Sequence, residues 1–132
     1  MHILQPPGWP RPRGYSNGVA AEGRLVFVAG QIGWDATGTI VADDLVDQLR
    51  QTLENTLAVL REAGAGPQHV ARMTWYITDK REYMARGKEI GAVYREAMGT
   101  HYPSMSMVQV AALMEDRAKV EIETTAVIPD GG

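Results

Sequence analysis

A chain of 132 residues, 45% hydrophobic and 22% charged, suits one folded domain and excludes both a two-domain protein and a largely disordered one. Its 13 basic residues are scattered among 16 acidic ones, for a net charge of −3, which argues against nucleic acid as the main partner. There is no cysteine, so disulfides, thiolate metal sites and cysteine nucleophiles are excluded. No apolar run approaches the ~18 residues of a membrane span. The first residues, from Met1 to Gln5, lack the charged and long apolar regions of a signal peptide. A cytoplasmic protein without a membrane partner is the expectation.

Residues 1–14 read as a proline-rich arm. Four prolines between positions 5 and 14 forbid helix and central strand, and Trp9 in such an arm needs a surface to pack on. Tyr15–Ala21 and Leu25–Gln31 read as two strands joined by a tight turn at Glu22-Gly23. A turn-rich loop follows from Gly33 to Gly38. Asp43 or Asp44 can cap a helix whose apolar stripe runs through Leu45, Leu49, Leu53, Leu57 and Leu60, with Gly64 as its C-terminal stop.

Val70–Thr78 alternates as a strand, with Met73, Trp75 and Ile77 on one face and Arg72, Thr74 and Tyr76 on the other. Asp79–Met98 reads as a second helix whose stripe includes Tyr83, Ile90, Val93, Tyr94 and Ala97; Gly87 and Gly91 lie four apart on it. Two strands complete the chain, Ser104–Ala112 and Ala118–Ile128, turning at Glu115-Asp116-Arg117. In the last, Val120 and Ile122 oppose Lys119, Glu121 and Glu123.

This order predicts a single α+β domain over residues 1–132, a mixed β-sheet with two helices packed on one face. The other face would carry Glu121, Glu123 and Gln109 among methionines. Such a mixture suits a subunit interface better than open solvent, although a solvated face is the alternative.

Chemistry is expected on that face. Glu121, flanked by Val120 and Ile122, is a candidate general acid or base if an interface buries it; a solvated glutamate paired with Lys119 or Arg117 is the plain alternative. Tyr15, where the arm meets the first strand, can offer a hydroxyl to a ligand or simply pack. Arg11 and Arg13 can anchor a carboxylate from the arm. Gly30 permits close backbone approach and Gln31 can orient a ligand. Trp34 lines a pocket or covers core. His2, His69 and His101 lack metal-ligand spacing, and no phosphate-cradling or dinucleotide motif is present. No metal and no cofactor are expected.

Five segments together resemble the RidA/YjgF family. They are Tyr15-Ser16-Asn17-Gly18-Val19, Phe27-Val28-Ala29-Gly30-Gln31-Ile32, Tyr102-Pro103-Ser104-Met105-Ser106, Val110-Ala111-Ala112-Leu113 and Val120-Glu121-Ile122-Glu123. They fall in the family's order and at nearly its spacing over residues 14–128. The resemblance implies a chorismate-mutase-like fold and a homotrimer with pockets between subunits. It also implies hydrolysis of a small enamine, imine or aminomuconate-like molecule to a ketone and ammonia. Older family labels, endoribonuclease and translation inhibitor, imply a nuclease reading that the charge balance disfavours.

Tyr15 and Glu121 match the family's pocket positions. Met105 stands where the family has a carboxylate-clamping arginine, Met107 where a cysteine is frequent, and Ala29 where a serine is usual. A methionine cannot clamp a carboxylate. Met105, Met107 and Ala29 would leave a larger, more apolar pocket, and Arg13 is a replacement cation. A non-catalytic small-molecule-binding trimer is the second reading.

Overall fold

The computed structural model describes residues 1–130. In chain order it contains β1 (His2–Leu4), β2 (Gly18–Ala20), β3 (Arg24–Gln31), α1 (Leu45–Glu62), β4 (Val70–Ile77), α2 (Lys80–Ala85), α3 (Gly87–Met98), β5 (Ser104–Gln109) and β6 (Val120–Ile128). The main sheet has the order β3-β6-β4-β5. β6 runs antiparallel to both of its neighbours, whereas β4 and β5 are parallel, so the sheet is mixed and the fold α+β as expected.

α1 forms where its leucine stripe and its end signals agree. Asp44 is the N-cap, its carboxylate accepting from the Asp47 N–H. Gly64 follows the C-cap in the left-handed region, at φ 77°. The Ala65 N–H donates to Leu60 O and the Gly64 N–H to Arg61 O, the double bond of a Schellman end. Leu45, Leu49, Leu53 and Leu60 are buried against the sheet, with Leu57 half-buried beside them. Each fully buried leucine contributes about 1.5–3 kcal/mol of apolar burial.

The second helix is two. Arg86 leaves helical geometry at φ −108°, ψ 21° and separates α2 from α3. Its guanidinium is held by the carboxylates of Asp44 and Glu89 at 2.9 and 2.6 Å, and Gly87 behind it is a weak helix former. This break lets Asp79 cap α2 while α3 presents Ile90, Val93 and Tyr94 to the core.

The expected hairpin between Tyr15–Ala21 and Leu25–Gln31 does not form. β2 pairs with β1 from the N-terminal arm, and β3 takes β6 as its neighbour. Gly23, with φ at 144°, packs so tightly on the backbone of Ile128 that a Cβ would meet its carbonyl oxygen at 2.0 Å. It is a close-packed corner rather than a two-residue hairpin turn. Strands β5 and β6 are also shorter than expected, ending at Gln109 and beginning at Val120.

Alternation along β4 and β6 behaves as the sequence indicates. Met73, Trp75, Ile77, Val120 and Ile122 all face the helices and are buried. The open face carries Arg72, Thr74, Tyr76, Glu121, Glu123 and the exposed side chains of Leu25 and Phe27. Met105, Met107 and Gln109 do not join them. Their register opposite Met73, Trp75 and Ile77 puts them on the helix side, where both methionines pack on the core. Gln109 accepts there from the Lys80 N–H at 2.7 Å.

Among the described residues no helix is long and apolar enough to cross a membrane.

Candidate functional site

Glu121 sits on the open face, opposite Tyr76 of β4. Neither of the cations expected to neutralise it does so: Lys119 pairs with Glu82 at 3.1 Å and Arg117 with Asp43 at 3.0 Å. Its carboxylate lies against Gly30. A Cβ at position 30 would stand 2.4 Å from Glu121 Oε2, so a glycine is required for this carboxylate position. The register of β3 on β6 shifts between Val28 and Gln31, which brings the Ala29-Gly30 segment to Glu121. Gln31 donates from Nε2 to the carbonyl of Ala29 at 3.1 Å and so braces this irregular segment. The carboxylate of Glu123, one pleat further along β6, accepts from the Tyr76 hydroxyl at 2.6 Å. That hydrogen bond, with the charges of Glu123 and Glu121, raises the tyrosine's pKa and keeps its proton on the phenol.

Tyr15 is brought elsewhere. Ser16, its neighbour, bridges Ser104 and donates its N–H to Pro103 O at 2.9 Å, which ties the arm to the start of β5. Val108 is the β5 residue level with Glu121 through Tyr76. It lies four residues further on, about 13 Å at ~3.3 Å per residue. One chain therefore does not unite Tyr15 with Glu121. Arg13 is exposed, with no hydrogen bond or ion pair among the described residues. Trp34 occupies a loop bridge with Ile40 and stays 39% exposed; its carbonyl accepts from Asn55.

A concavity opens on the helix side. It has a volume of about 220 Å³ and is lined by Trp75, Tyr83, Tyr94, Tyr102 and Met105, with Gly14 of the arm at its border. Tyr94 and Tyr102 stack at 5.5 Å, and the Tyr94 hydroxyl is committed to His101 O at 2.7 Å. Burial pushes the hydroxyls of Tyr83 and Tyr94 toward higher pKa. Met105 is thus a wall of this cavity, while Met107, beside it on the same face, packs on the core. Neither stands near Glu121 in one chain.

Two features escaped sequence reading. Gln48 is fully buried, donating to the carbonyls of Ala42 and Arg117 and accepting from the Lys119 N–H. It pins the start of α1 to the entry of β6, and only its place as a polar residue within the buried face of the helix hinted at it. The aromatic cavity was hidden because its walls come from β4, α2, α3, the 99–103 loop and β5. His101, whose Nε2 lies 2.6 Å from Val70 O, is a structural link between that loop and β4.

Comparison with known proteins decides the ancestry of this arrangement. Residues 10–128 match the family model described as endoribonuclease L-PSP. A RutC family protein of Pyrococcus horikoshii is 39% identical over 119 residues, covering 89% of this chain and 90% of the relative. The chain belongs to the RidA/YjgF family. Another member, the 2-iminobutanoate/2-iminopropanoate deaminase of Salmonella typhimurium, is 34% identical over 105 residues and covers 80% of each chain. Among solved structures, a Rid-family protein of Yersinia pestis superposes with a TM-score of 0.85 at 32% identity, over 96% of this chain and 98% of its own. The mixed sheet with its helices on one face is the RidA-like fold.

Proposed function

We propose that this protein is a divergent RidA-type deaminase acting on a small enamine, imine or aminomuconate-like molecule, in a pocket that a neighbouring copy of the chain completes. The observation that carries this reading is Glu121: a carboxylate on the open face, without an ion pair among the described residues and seated against a glycine. An imine deaminase among the relatives supports the reaction class.

Glu121 would take a proton from water as the oxygen adds to the C=N carbon and return it to the nitrogen. The hydroxyl proton of the resulting carbinolamine then passes through the same carboxylate to the nitrogen, the C–N bond breaks, ammonia leaves and the carbonyl forms. The backbone around Gly30 and the Gln31 amide would orient the substrate. Tyr15 and the walls at Met105 and Met107 would belong to the facing copy, because one chain holds them apart from Glu121. Exposed Leu25 and Phe27, 56% and 72% accessible, favour a homotrimer that covers the open face. Arg13 and Trp34 would then act at the rim.

The second reading, a non-catalytic metabolite-binding trimer, draws on Met105 in place of a clamping arginine. Ammonia release from freshly generated 2-aminoacrylate and 2-aminomuconate separates the two. Acceleration by wild type and not by Glu121→Gln supports the deaminase; no acceleration of either overturns it in favour of the binder.

A further inference from the structure

The open face holds a concavity of its own, of about 510 Å³, within the ~300–1,000 Å³ of small-molecule sites. Phe27, Arg72, Thr74, Glu123 and Thr125 line it. Its two charged groups are opposite in sign and do not meet. Arg72 stands opposite Thr125 and Thr74 opposite Glu123, so Arg72 and Glu123 are diagonal neighbours on adjacent strands. Diagonal positions lie about 7–8 Å apart, within reach of long side chains. No ion pair joins the two, and neither forms one elsewhere among the described residues.

Each is turned to a neutral hydroxyl instead. Arg72 Nη2 donates to Ser106 Oγ of β5 at 3.3 Å, and Glu123 Oε1 accepts from the Tyr76 hydroxyl at 2.6 Å. The arginine bond is long, and most N–H donors of the guanidinium remain free. One concavity is thus flanked by a cation and an anion that could neutralise each other and do not. A ligand carrying both charges satisfies the pair, with charge-assisted hydrogen bonds at each end. It must be short, because the two heads could meet directly across the diagonal; ammonium and carboxylate on one carbon fit that condition. Thr74 and Thr125 add hydroxyls that donate or accept beside the charges. The ring of Phe27, 72% exposed, offers an apolar surface to a side chain.

We propose that this concavity binds an α-amino acid with an apolar side chain, its carboxylate on Arg72, its ammonium on Glu123 and its side chain against Phe27. Glu121, one pleat away on β6, takes no part, and neither does the helix-side cavity. A copy covering this face would close over the ligand, whose charges are met from one chain. The site goes beyond the deaminase reading and stands or falls without it.

The test is calorimetric titration of the whole chain with L-leucine, with leucinamide, which lacks the carboxylate, and with N-acetylleucine, which lacks the ammonium. Wild type should bind leucine at least about tenfold more tightly than either analogue, since each loses one charged hydrogen-bonding end. Glycine, with no side chain for Phe27, should bind more weakly than leucine. Arg72→Gln and Glu123→Gln, both at exposed positions, should each lose the preference for leucine while keeping the wild-type circular dichroism spectrum. Glu121→Gln should bind leucine as wild type does, so failure of the deaminase reading leaves this result intact. Equal affinity for leucine and either analogue, glycine binding as tightly as leucine, or full binding by Arg72→Gln or Glu123→Gln would each overturn the proposal. So would weakened binding by Glu121→Gln, or no binding of leucine to wild type at millimolar concentration.

Discussion

The two faces of the sheet are built from the same strands and do opposite things. In β6, Val120 and Ile122 are buried beneath the helices at 1% and 0% exposure, and Glu121 between them points to the open side. In β4, Met73, Trp75 and Ile77 are core, whereas Arg72, Thr74 and Tyr76 face outward. The two-residue period of a strand lets one segment carry cohesion on one face and reactive groups on the other. The covered face is mostly apolar, with Thr124 its buried exception on β6, because burial tolerates few unpaired polar groups. The open face mixes Phe27, Tyr76, Glu121 and Glu123, a composition that needs a partner or a ligand to account for it.

The covered face loses most when a leucine of α1 is truncated. Leu53→Ala removes a fully buried side chain and should cost about 2–5 kcal/mol in urea unfolding, with turnover per folded chain unchanged. On the open face, Gly30→Ala should do the reverse. The new methyl would stand 2.4 Å from Glu121 Oε2, so the carboxylate must move. Steady-state ammonia release should fall at least about tenfold, because misplacing a reacting group by ~1 Å can cost ~100-fold. Phe27→Glu should leave the chain folded by circular dichroism but shift sedimentation toward monomer, since this 72% exposed ring holds no core of its own.

The smallest effect concerns acid. The Arg86 hydrogen bonds lower the carboxyl pKa values of Asp44 and Glu89 below their ordinary 3.8 and 4.5. A depressed folded-state pKa means the unfolded chain binds the proton more readily. The stabilisation is therefore full above the ordinary values and is lost as pH falls through the depressed ones. Melting curves between pH 6 and about pH 2 should show a steeper acid loss for wild type than for Arg86→Gln. Both carboxylates are largely solvated, so the difference should be small.

The parts of the fold written in local periodicity were legible in the sequence. The leucine stripe with Asp44 and Gly64 defined α1, and alternation in β4 and β6 sorted core from open face. Strand pairing was not legible, because pairing is chosen by distant partners. β2 has too few residues to declare whether β1 or β3 should flank it, and it was Gly23 against Ile128 that settled the corner. Met105, Met107 and Gln109 were placed on the wrong face because their alternation fixes only which residues share a face; the parallel register with β4 fixes which face that is. For the site, Glu121 and Gly30 were both legible as residues, yet their contact depends on an irregular step in β3 that no motif announces.

Reactivity and cohesion are divided between adjacent residues of β6, Glu121 and Ile122. The most direct measurement is ammonia release per folded chain, alongside melting temperature, for Glu121→Gln and Ile122→Ala. Glu121→Gln should melt as wild type does and lose about 100-fold or more of its rate. Ile122→Ala, with a cavity in the core, should melt much lower while retaining its rate when folded. A Glu121→Gln protein that releases ammonia as fast as wild type would contradict the claim.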